Sequence, residues 1–422
     1  CRQVLAEELQ VEPDAETQAL YVQIERGDFD RRIRRQGDKV MVAHPVASSA
    51  PYPLIPAHNL PLFPTPLVGR AQALAEIDAL LQRPGSRLLT LVGPGGMGKT
   101  RLAVEVGRTR MGTFADGVWF VPLAPITTAT ALAPTIANAL GIALHGSDPQ
   151  TTLCQTLRQK QLLLILDNFE QLLAEGAGDP LGAVDLVVDL LDAAPGVQII
   201  ITSRERLKLQ REQLYAVPAL TFSATATLSE ATAAAAVRLF IQAVQRVQPA
   251  FHLMETNLAA VLRICGLVQG MPLGLELAAA NAGGLPLPAI ADAIEQSFEF
   301  LTVEWRDVPA RQRSMRAVFA WSWRLLSPEE QRILRQSAVF RGGFTYSAAQ
   351  AVTGATPRLL TRLTDTSLLQ WQATPGEGRY VLHELLRQFA AEELNASGER
   401  ALAQERHGRY YLAYLAARGL RL

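Results

Sequence analysis

Short runs of apolar residues occur between Leu67 and about Thr221 and alternate with stretches of helical periodicity. The runs are Leu88–Val92, Gly117–Leu123, Gln161–Leu166, Val197–Thr202 and Leu214–Val217. Most of them lack the polar alternation of a half-exposed strand, and this is typical of strands buried on both faces of a parallel sheet. The pattern predicts an α/β domain with a parallel sheet at residues 61–222.

Two different patterns follow the α/β domain. Residues 223–308 are rich in alanine, keep a helical period and show no strand signal, which predicts a small all-α bundle. In residues 309–395, helices at Arg313–Leu325, at Ser327–Val339, after Gly-Gly-Phe and at Pro357–Leu363 precede two strands around the turn ATPGEG. Three of these four helices together with the hairpin predict a winged-helix domain.

The two ends of the chain carry weaker patterns. Residues 1–30 predict two short helices, and residues 31–60 predict an extended linker that is rich in proline. The linker begins with the basic cluster RRIRR, which could touch nucleic acid but is more typical of a solvated face. Residues 396–422 predict the start of a C-terminal helical region. Because the chain begins with Cys1 rather than methionine, we expect it to be a piece of a longer protein.

Composition excludes several classes of protein. Of the 422 residues, 49% are hydrophobic and 19% are charged, which is typical of globular packing rather than disorder. Lys+Arg and Asp+Glu are both 40, so the net charge does not indicate nucleic acid or a membrane surface as a partner. The three cysteines form no CxxC motif, which argues against a disulfide framework or a zinc site. No apolar run approaches the roughly 18 residues of a membrane span. We therefore expect a cytoplasmic protein.

The strongest chemical signal is the stretch LVGPGGMGKT at the end of the first apolar run. It satisfies the pattern G-x-x-x-x-G-K-[ST] between a strand and a helix, where glycines let backbone N–H groups close around phosphates. Lys99 is expected to bridge the terminal phosphates, and Thr100 to bind Mg²⁺. The predicted cofactor-binding residues of this segment are Gly93, Pro94, Gly95, Gly96, Met97, Gly98, Lys99, Thr100 and Arg101.

The same glycines also fit the dinucleotide motif G-x-G-x-x-G. That fold requires an acidic residue at the end of the second strand. Here the second predicted strand ends in Val121, Pro122 and Leu123, and Asp116 precedes it. The phosphate loop of an NTPase is therefore the favoured interpretation.

A partner for the loop is expected where an apolar strand ends in a carboxylate. The stretch QLLLILDNFE places Asp167 in this position, so Asp167 and Thr100 are the predicted Mg²⁺ ligands. Efficient NTPases of this class often carry a glutamate directly after that aspartate, and Asn168 stands there instead. The next carboxylate is Glu170, which either orients the attacking water or begins the following helix. We therefore do not expect fast hydrolysis.

The fourth apolar run ends QIIITSRERL and brings an arginine to the carboxyl edge of the sheet. Ligands of such sheets bind at that edge. Arg204 is predicted to pair with a γ-phosphate and so to report its presence. Arg206 competes for this role, and a solvated loop arginine is the alternative.

Several motifs occur together in a fixed order. They are LVGR (Leu67–Arg70), GPGGMGKT, GVWFVPLA, LLLILDNFE, ITSRERL, GMPLGLELAA and YVLHELLRQFA. Over residues 60–394 this order resembles the STAND nucleotide-binding proteins, the NB-ARC and apoptotic-ATPase group, and most closely their bacterial transcriptional regulators. The opening LAEELQVEPDAETQALYVQI resembles the end of a helical bacterial transcriptional activator domain.

The resemblance implies an adenine pocket. Val68, Gly69 and Arg70 match the segment that lines this pocket in the family, although Ala71 stands where the family usually has glutamate. Pro272 matches the proline that packs beside the adenine. By the resemblance, residues 223–308 would then be the helical lid of the nucleotide.

The resemblance also implies a role for a histidine. Leu382, His383 and Glu384 match the Met-His-Asp signature of the family, in which the histidine touches the ADP β-phosphate. The stretch HELLR also begins like the zinc motif H-E-x-x-H, but Arg387 occupies the place of the second histidine. A packing residue at a helix start is the remaining alternative.

As a family member, the chain would be a nucleotide switch. ADP would lock a closed inactive state, and exchange for ATP would permit opening and self-assembly, with slow hydrolysis resetting the switch. The expected partners are ATP or ADP with Mg²⁺ and an unknown inducer acting through a C-terminal sensor. Contact with DNA is expected only through an upstream domain outside this chain.

Two other functions remain open at this stage. One is a constitutive ATPase or nucleotide kinase. The other is DNA binding through the winged helix, whose candidate recognition helix offers only Arg358 and Arg362 against Asp365. Two basic residues are few for neutralising DNA phosphates.

Overall fold

A five-stranded sheet forms the core of the first part of the chain. The computed structural model describes residues 57–144, 148–173, 180–306, 308–373 and 377–417. The strands are β1 (Leu88–Val92), β2 (Val118–Pro122), β3 (Leu162–Asp167), β4 (Val197–Ser203) and β5 (Gln213–Ala216). They are all parallel and lie in the order β2-β3-β4-β1-β5. The predicted parallel sheet is confirmed, and each strand end lies within one residue of its predicted position.

Helices cover both faces of this sheet. They are α1 (Ala71–Leu81), α2 (Lys99–Thr109), α3 (Leu132–Leu140), α4 (Pro149–Leu157), α5 (Glu170–Leu173) and α6 (Pro180–Ala193). Because side chains alternate along a strand, neighbouring strand residues belong to two different apolar cores. Leu163 and Ile165 pack in the core shared with α1 and α2, whereas Leu162 and Leu164 pack in the core shared with α3, α4 and α6. This burial on both sides explains why β3 is apolar at every position before Asp167.

Helices dominate the rest of the described chain. The first group is α7 (Leu228–Ala233), α8 (Ala235–Gln245), α9 (Glu255–Leu267), α10 (Pro272–Ala280) and α11 (Leu287–Gln296). The second is α12 (Met315–Arg324), α13 (Pro328–Gln336), α14 (Tyr346–Thr353) and α15 (Pro357–Asp365), then the antiparallel pair β6 (Gln370–Gln372) and β7 (Arg379–Val381). Last come α16 (Glu384–Ala396) and α17 (Arg400–Ala417). Short 3-10 turns lie at Met111–Thr113, Ala129–Ala131, Asn281–Gly283, Phe298–Phe300, Ala310–Gln312 and Ser337–Val339.

The order of helices and hairpin agrees with the sequence pattern, while the division into domains stays a prediction. The helices predicted for residues 1–30 and nearly all of the linker at residues 31–60 lie outside the described residues. None of the helices that the structure describes combines the length and apolarity needed to cross a bilayer.

Candidate nucleotide-binding site

The segment between β1 and α2 forms the predicted loop. Gly96 and Gly98 have φ angles of 85° and 82°, a left-handed conformation that residues with a Cβ rarely adopt. At Gly95 a Cβ would lie 2.5 Å from Cγ1 of Val318, so glycine is also required by close packing. Helix α2 begins at Lys99 directly after the loop, and its first unpaired N–H groups and positive dipole end suit an anion. The loop therefore has the geometry of a phosphate cradle.

The Lys99 ammonium lies within this loop. Its Nζ donates hydrogen bonds to the carbonyl oxygens of Gly93 and Pro94, at 2.7 and 3.0 Å. Burial lowers the pKa of Lys99 to about 8, and the nearby Arg204 guanidinium acts in the same direction. The Glu170 carboxylate opposes this shift. At neutral pH the ammonium is still charged, and a bound phosphate would stabilise this charge.

Asp167 ends β3 beside the start of α2. Its Oδ1 accepts hydrogen bonds from Oγ1 of Thr100 at 2.7 Å and from Oγ1 of Thr202 at 2.6 Å. Burial raises the pKa of Asp167 in spite of these hydrogen bonds. Carboxylate and hydroxyl oxygens are the ligands that Mg²⁺ prefers, and a nucleotide-bound Mg²⁺ needs only one or two of them from the protein. Asp167 and Thr100 thus fit an ion that arrives with phosphates.

No larger metal site accompanies this pair within the described part of the chain. There, no group of three or more His, Cys, Asp or Glu side chains could hold a metal ion.

Glu170 is the first residue of α5 and is almost fully buried, with 2% of its surface exposed. Its Oε1 accepts from Nδ2 of Asn168 at 3.3 Å, and Asn168 has a left-handed φ of 66°. Its Oε2 is buried without a hydrogen-bond partner among the described residues. Leaving one buried carboxylate oxygen without a hydrogen bond costs about 1–3 kcal/mol. The role of Glu170 in orienting water stays a prediction.

Arg204 follows β4 and points towards the same carboxylate. Its Nε donates to Oε1 of Glu170 at 3.1 Å, and its Nη1 donates to the carbonyl of Val318 at 3.0 Å and to Oγ of Ser322. Both of these last partners belong to α12. Arg206, by contrast, pairs with Asp365 at 3.0 Å. Of the two candidate arginines, only Arg204 reaches the loop.

A cavity of about 300 Å³ opens beside the loop and contains most of the predicted site. Predicted residues that line it are Val68, Arg70, Gly95, Gly96, Met97, Gly98, Lys99, Thr100, Arg101, Glu170, Arg204 and Pro272. Predicted residues outside its lining are Gly69, Gly93, Pro94, Asp167 and His383. Asp167 lies directly behind Thr100, as its hydrogen bond shows.

The predicted adenine segment has a structural role that the sequence did not indicate. Arg70 is buried and donates to the carbonyls of Met97 at 2.9 Å and of Pro218 at 2.7 Å. It therefore fixes the phosphate loop against the segment that follows β5. At Gly69 a Cβ would lie 2.2 Å from the Cβ of Ala235, so this glycine allows close approach of α8.

His383 is partly buried at the start of α16, and it is not among the residues that line the cavity. Its Nδ1 accepts the N–H of Leu385 at 3.2 Å, and the ring also interacts with the Val268 carbonyl. Burial lowers the pKa of His383 to about 4, against the effects of the Glu384 carboxylate and the Val268 carbonyl. The ring is therefore neutral at physiological pH. Its predicted contact with a β-phosphate stays a prediction.

Some residues of the cavity were missed by the sequence reasoning. They are Phe63, Leu67, Asn168, Thr202, Leu220, Leu239, Leu273, Glu276, Gln312 and Val318. Most of these are apolar and carry no sequence signal of a site. Glu276 does carry one, because it is the only charged residue between Arg263 and Asp292. In the sequence, Asn168 stands out only because it occupies the position at which many NTPases of this class carry a glutamate.

Comparisons with known proteins agree with this geometry. The family model of an AAA domain matches residues 82–209, which contain the loop, Asp167 and Arg204. Rv0890c of Mycobacterium tuberculosis H37Rv, named as an HTH-type transcriptional regulator, is 36% identical over 79% of this chain and 36% of its own length. Regulatory protein AfsR of Streptomyces coelicolor is 27% identical over 98% of this chain and 40% of its own length. The chain thus spans little more than a third of these relatives.

Solved structures show weaker likeness. A STAND protein with a tetratricopeptide repeat sensor from Pyrococcus horikoshii matches 82% of this chain and 45% of its own, at 17% identity and a TM-score of 0.32. The ORC2 protein of Aeropyrum pernix matches 81% and 94%, at 15% identity and a TM-score of 0.43. Neither TM-score is high enough to support a conclusion about function.

One relative is matched over most of its length. Rv0894, an uncharacterized protein of M. tuberculosis H37Rv, is 31% identical over 79% of this chain and 83% of its own length. The chain therefore belongs to the same family as Rv0894, and its residues 82–209 form an AAA-type P-loop domain.

Proposed function

We propose that this chain is the nucleotide-dependent switch of a regulatory protein. In the proposal, ADP holds a closed inactive state, and exchange for ATP permits opening and assembly. One observation carries it: Lys99 of the P-loop domain, Pro272 of the helical segment and Val318 of the C-terminal segment line one cavity. A ligand that touches all three stabilises the closed arrangement by the difference between its affinities for the closed and open states.

We propose further that residues 223–308 act as the lid and residues 309–395 as a winged-helix domain. The lid is supported by a backbone hydrogen bond from Leu273, in the first turn of α10, to the carbonyl of Gly96 at 3.2 Å. This bond attaches the helical segment to the phosphate loop. The four helices and hairpin of residues 309–395 support the winged helix.

A second set of contacts joins the sheet to α15, and we call it the seam. Ser367 donates to the carbonyl of Arg204 at 2.6 Å, directly after β4. The ion pairs of the seam are Glu205–Arg362, Arg206–Asp365 at 3.0 Å and Lys208–Asp365 at 3.2 Å. Arg204 thus contacts α12 through its guanidinium and lies at one end of the seam through its backbone carbonyl.

This position suggests how ATP would differ from ADP. A γ-phosphate offers Arg204 charged oxygens that compete with Val318 and Ser322, because hydrogen bonds between charged groups are the stronger ones. Asp167 and Thr100 would hold Mg²⁺, which neutralises phosphate charge. Glu170 would orient the attacking water, and its distance in sequence from Asp167 is the reason that we propose slow hydrolysis.

The structure weighs against DNA binding through α15. Arg362 is held in ion pairs with Glu205 and, at 3.3 Å, with Glu330. Its charge is therefore already compensated within the chain. We propose that DNA is contacted by an upstream domain, and that an inducer acts through a C-terminal sensor.

The switch predicts different shapes with the two nucleotides. We expect purified protein to release ADP on denaturation, and we expect small-angle scattering to give a larger radius of gyration with a non-hydrolysable ATP analogue than with ADP. Equal compactness with both nucleotides would contradict the proposal. So would steady turnover within the enzyme range of roughly 1 to 10³ per second without any activator.

Nucleotide affinity is also expected to depend on alkaline pH through Lys99. Its pKa of about 8 in the free protein would rise beside a phosphate, so the complex keeps a proton that the free protein loses. Below pH 8 both forms are protonated and affinity stays constant. Above pH 8 the dissociation constant is expected to rise by up to about tenfold per pH unit.

Calorimetric titration with ADP between pH 7 and 9.5 measures this effect. The terminal phosphate of the nucleotide has a pKa of about 6, which lies below this pH range. Lys99→Arg is the control, since arginine stays charged throughout, and it should show no such slope. A flat profile for the unsubstituted chain would mean that Lys99 does not face the phosphates.

A further inference from the structure

Two carboxylates line the nucleotide cavity among the described residues, and the proposed function uses only one of them. Glu170 lies beside Arg204 at the phosphate loop. The other is Glu276 in α10, whose side chain is 21% exposed. A charged side chain that is partly buried in an apolar helix costs free energy unless it pairs with an opposite charge or binds a ligand.

Glu276 lies close to the phosphate loop. Leu273 donates its N–H to the carbonyl of Gly96, so the first turn of α10 is attached to the loop. Residues three apart share a helix face, and Glu276 therefore follows Leu273 by roughly 4.5 Å along the axis. Arg101 in the first turn of α2 reaches it from the other side, with its Nη1 3.8 Å from Oε1 of Glu276. The Glu276 carboxylate therefore lies beside the phosphate loop, next to the position expected for the phosphates.

The carboxylate is also held in a fixed orientation. Arg246 of α8 contacts the same Oε1, at 3.5 Å from its Nη2. Arg101 is itself fixed by hydrogen bonds to Thr65 and by the ring of Phe63, whose centroid is 5.3 Å away. Because both ion pairs involve Oε1, Oε2 can accept hydrogen bonds from a ligand.

We infer that Glu276 binds the ribose of the nucleotide, accepting hydrogen bonds from its 2′ and 3′ hydroxyls, and that the site therefore selects ribonucleotides. The sugar comes directly after the phosphates in a nucleotide, and apolar residues remain for the base. These are Leu67, Val68, Leu220, Leu239 and Pro272. A carboxylate would repel a phosphate but favours neutral hydroxyl donors. The inference rests on the proposed nucleotide binding.

The test compares ADP with 2′-deoxy-ADP by calorimetric titration. Loss of one hydrogen bond to a charged group weakens binding by about tenfold or more, so the unsubstituted chain should prefer ADP by that factor. In Glu276→Ala the ratio of the two dissociation constants should fall to within about threefold, whereas Glu276→Gln, which keeps a neutral acceptor, should give an intermediate ratio. Removing the Glu276 carboxylate leaves Arg101 and Arg246 without their partner, which changes the affinity for both nucleotides. Because this change acts on both dissociation constants alike, it cancels in their ratio.

Glu295→Gln is the matched control. Its carboxylate also pairs with an arginine of the helical segment, Arg263, but it lies outside the cavity lining. It should keep the full preference for ADP. Equal affinity for both nucleotides in the unsubstituted chain, or a preference that survives in Glu276→Ala, overturns the ribose assignment alone. Failure of the unsubstituted chain to bind ADP overturns the proposed function and the ribose assignment with it.

Discussion

Lys99→Ala is expected to abolish tight ADP binding while leaving the fold intact. The ammonium is the cation that the phosphate loop offers, and each hydrogen bond between charged groups contributes about 1.5–3 kcal/mol. Loss of contacts to two phosphates should therefore weaken binding by about 100-fold or more.

Stability should change little, for a reason that follows from the pKa. Folding lowers the pKa of Lys99, so the charged side chain is less favourable in the folded chain than in the unfolded one at every pH below about 8. Alanine removes this cost together with the hydrogen bonds to Gly93 and Pro94. We expect a midpoint of thermal unfolding, measured without nucleotide, close to that of the unsubstituted chain.

Calorimetric titration with ADP, beside thermal unfolding, separates the two effects. Lys160→Ala is the matched control, because Lys160 forms an ion pair with Asp116 and lies outside the cavity lining. It should bind ADP normally. Undiminished ADP affinity in Lys99→Ala would show that the loop is not the phosphate site.

The sequence predicted the sheet well because burial on both faces leaves a local signal. A strand such as β3 is apolar at every position until Asp167, and the carboxyl ends of adjacent parallel strands meet at one edge. That geometry places Asp167 and Arg204 beside the loop that follows β1, while their roles stay predictions. The candidate magnesium pair and the arginine were therefore accessible from strand positions alone.

Contacts between distant segments were beyond the same reasoning. The sequence shows no reason for Val318 to pack on Gly95, or for Asp365 to receive Arg206 and Lys208. These contacts depend on how the segments pack against each other. The spacing of apolar residues along the chain carries no information about that packing. His383 is a related case, because its partial burial beside Val268 follows from the packing of α16 rather than from its motif.

The seam is the source of the second large effect. Glu205 is buried, and burial raises the pKa of its carboxyl group, while the ion pair with Arg362 acts in the opposite direction. Removing one partner of a buried ion pair typically costs 3–5 kcal/mol, because the remaining charge is left without compensation. Glu205→Arg also places two like charges together. We expect it to shift the ratio of closed to open forms by about 100-fold or more.

The measurements are the rate of ADP dissociation and the radius of gyration by small-angle scattering. Glu205→Arg should release ADP faster and expand the chain, whereas Arg211→Glu should do neither. Arg211 pairs with Asp192 at the exposed surface, and surface pairs contribute only about 0–1 kcal/mol.

Exchanging the charges of Glu205 and Arg362 distinguishes loss of this ion pair from general destabilisation of the fold. In Glu205→Arg with Arg362→Glu, the attraction between the two positions returns, and ADP release should slow again. The recovery should be incomplete, because Glu330 contacts Arg362 and would then face a like charge. If Glu205→Arg leaves both ADP release and compactness unchanged, the seam does not hold the closed state. If the double substitution releases ADP as fast as Glu205→Arg alone, the effect does not arise from this ion pair, and the coupling between Arg204 and α15 has another cause.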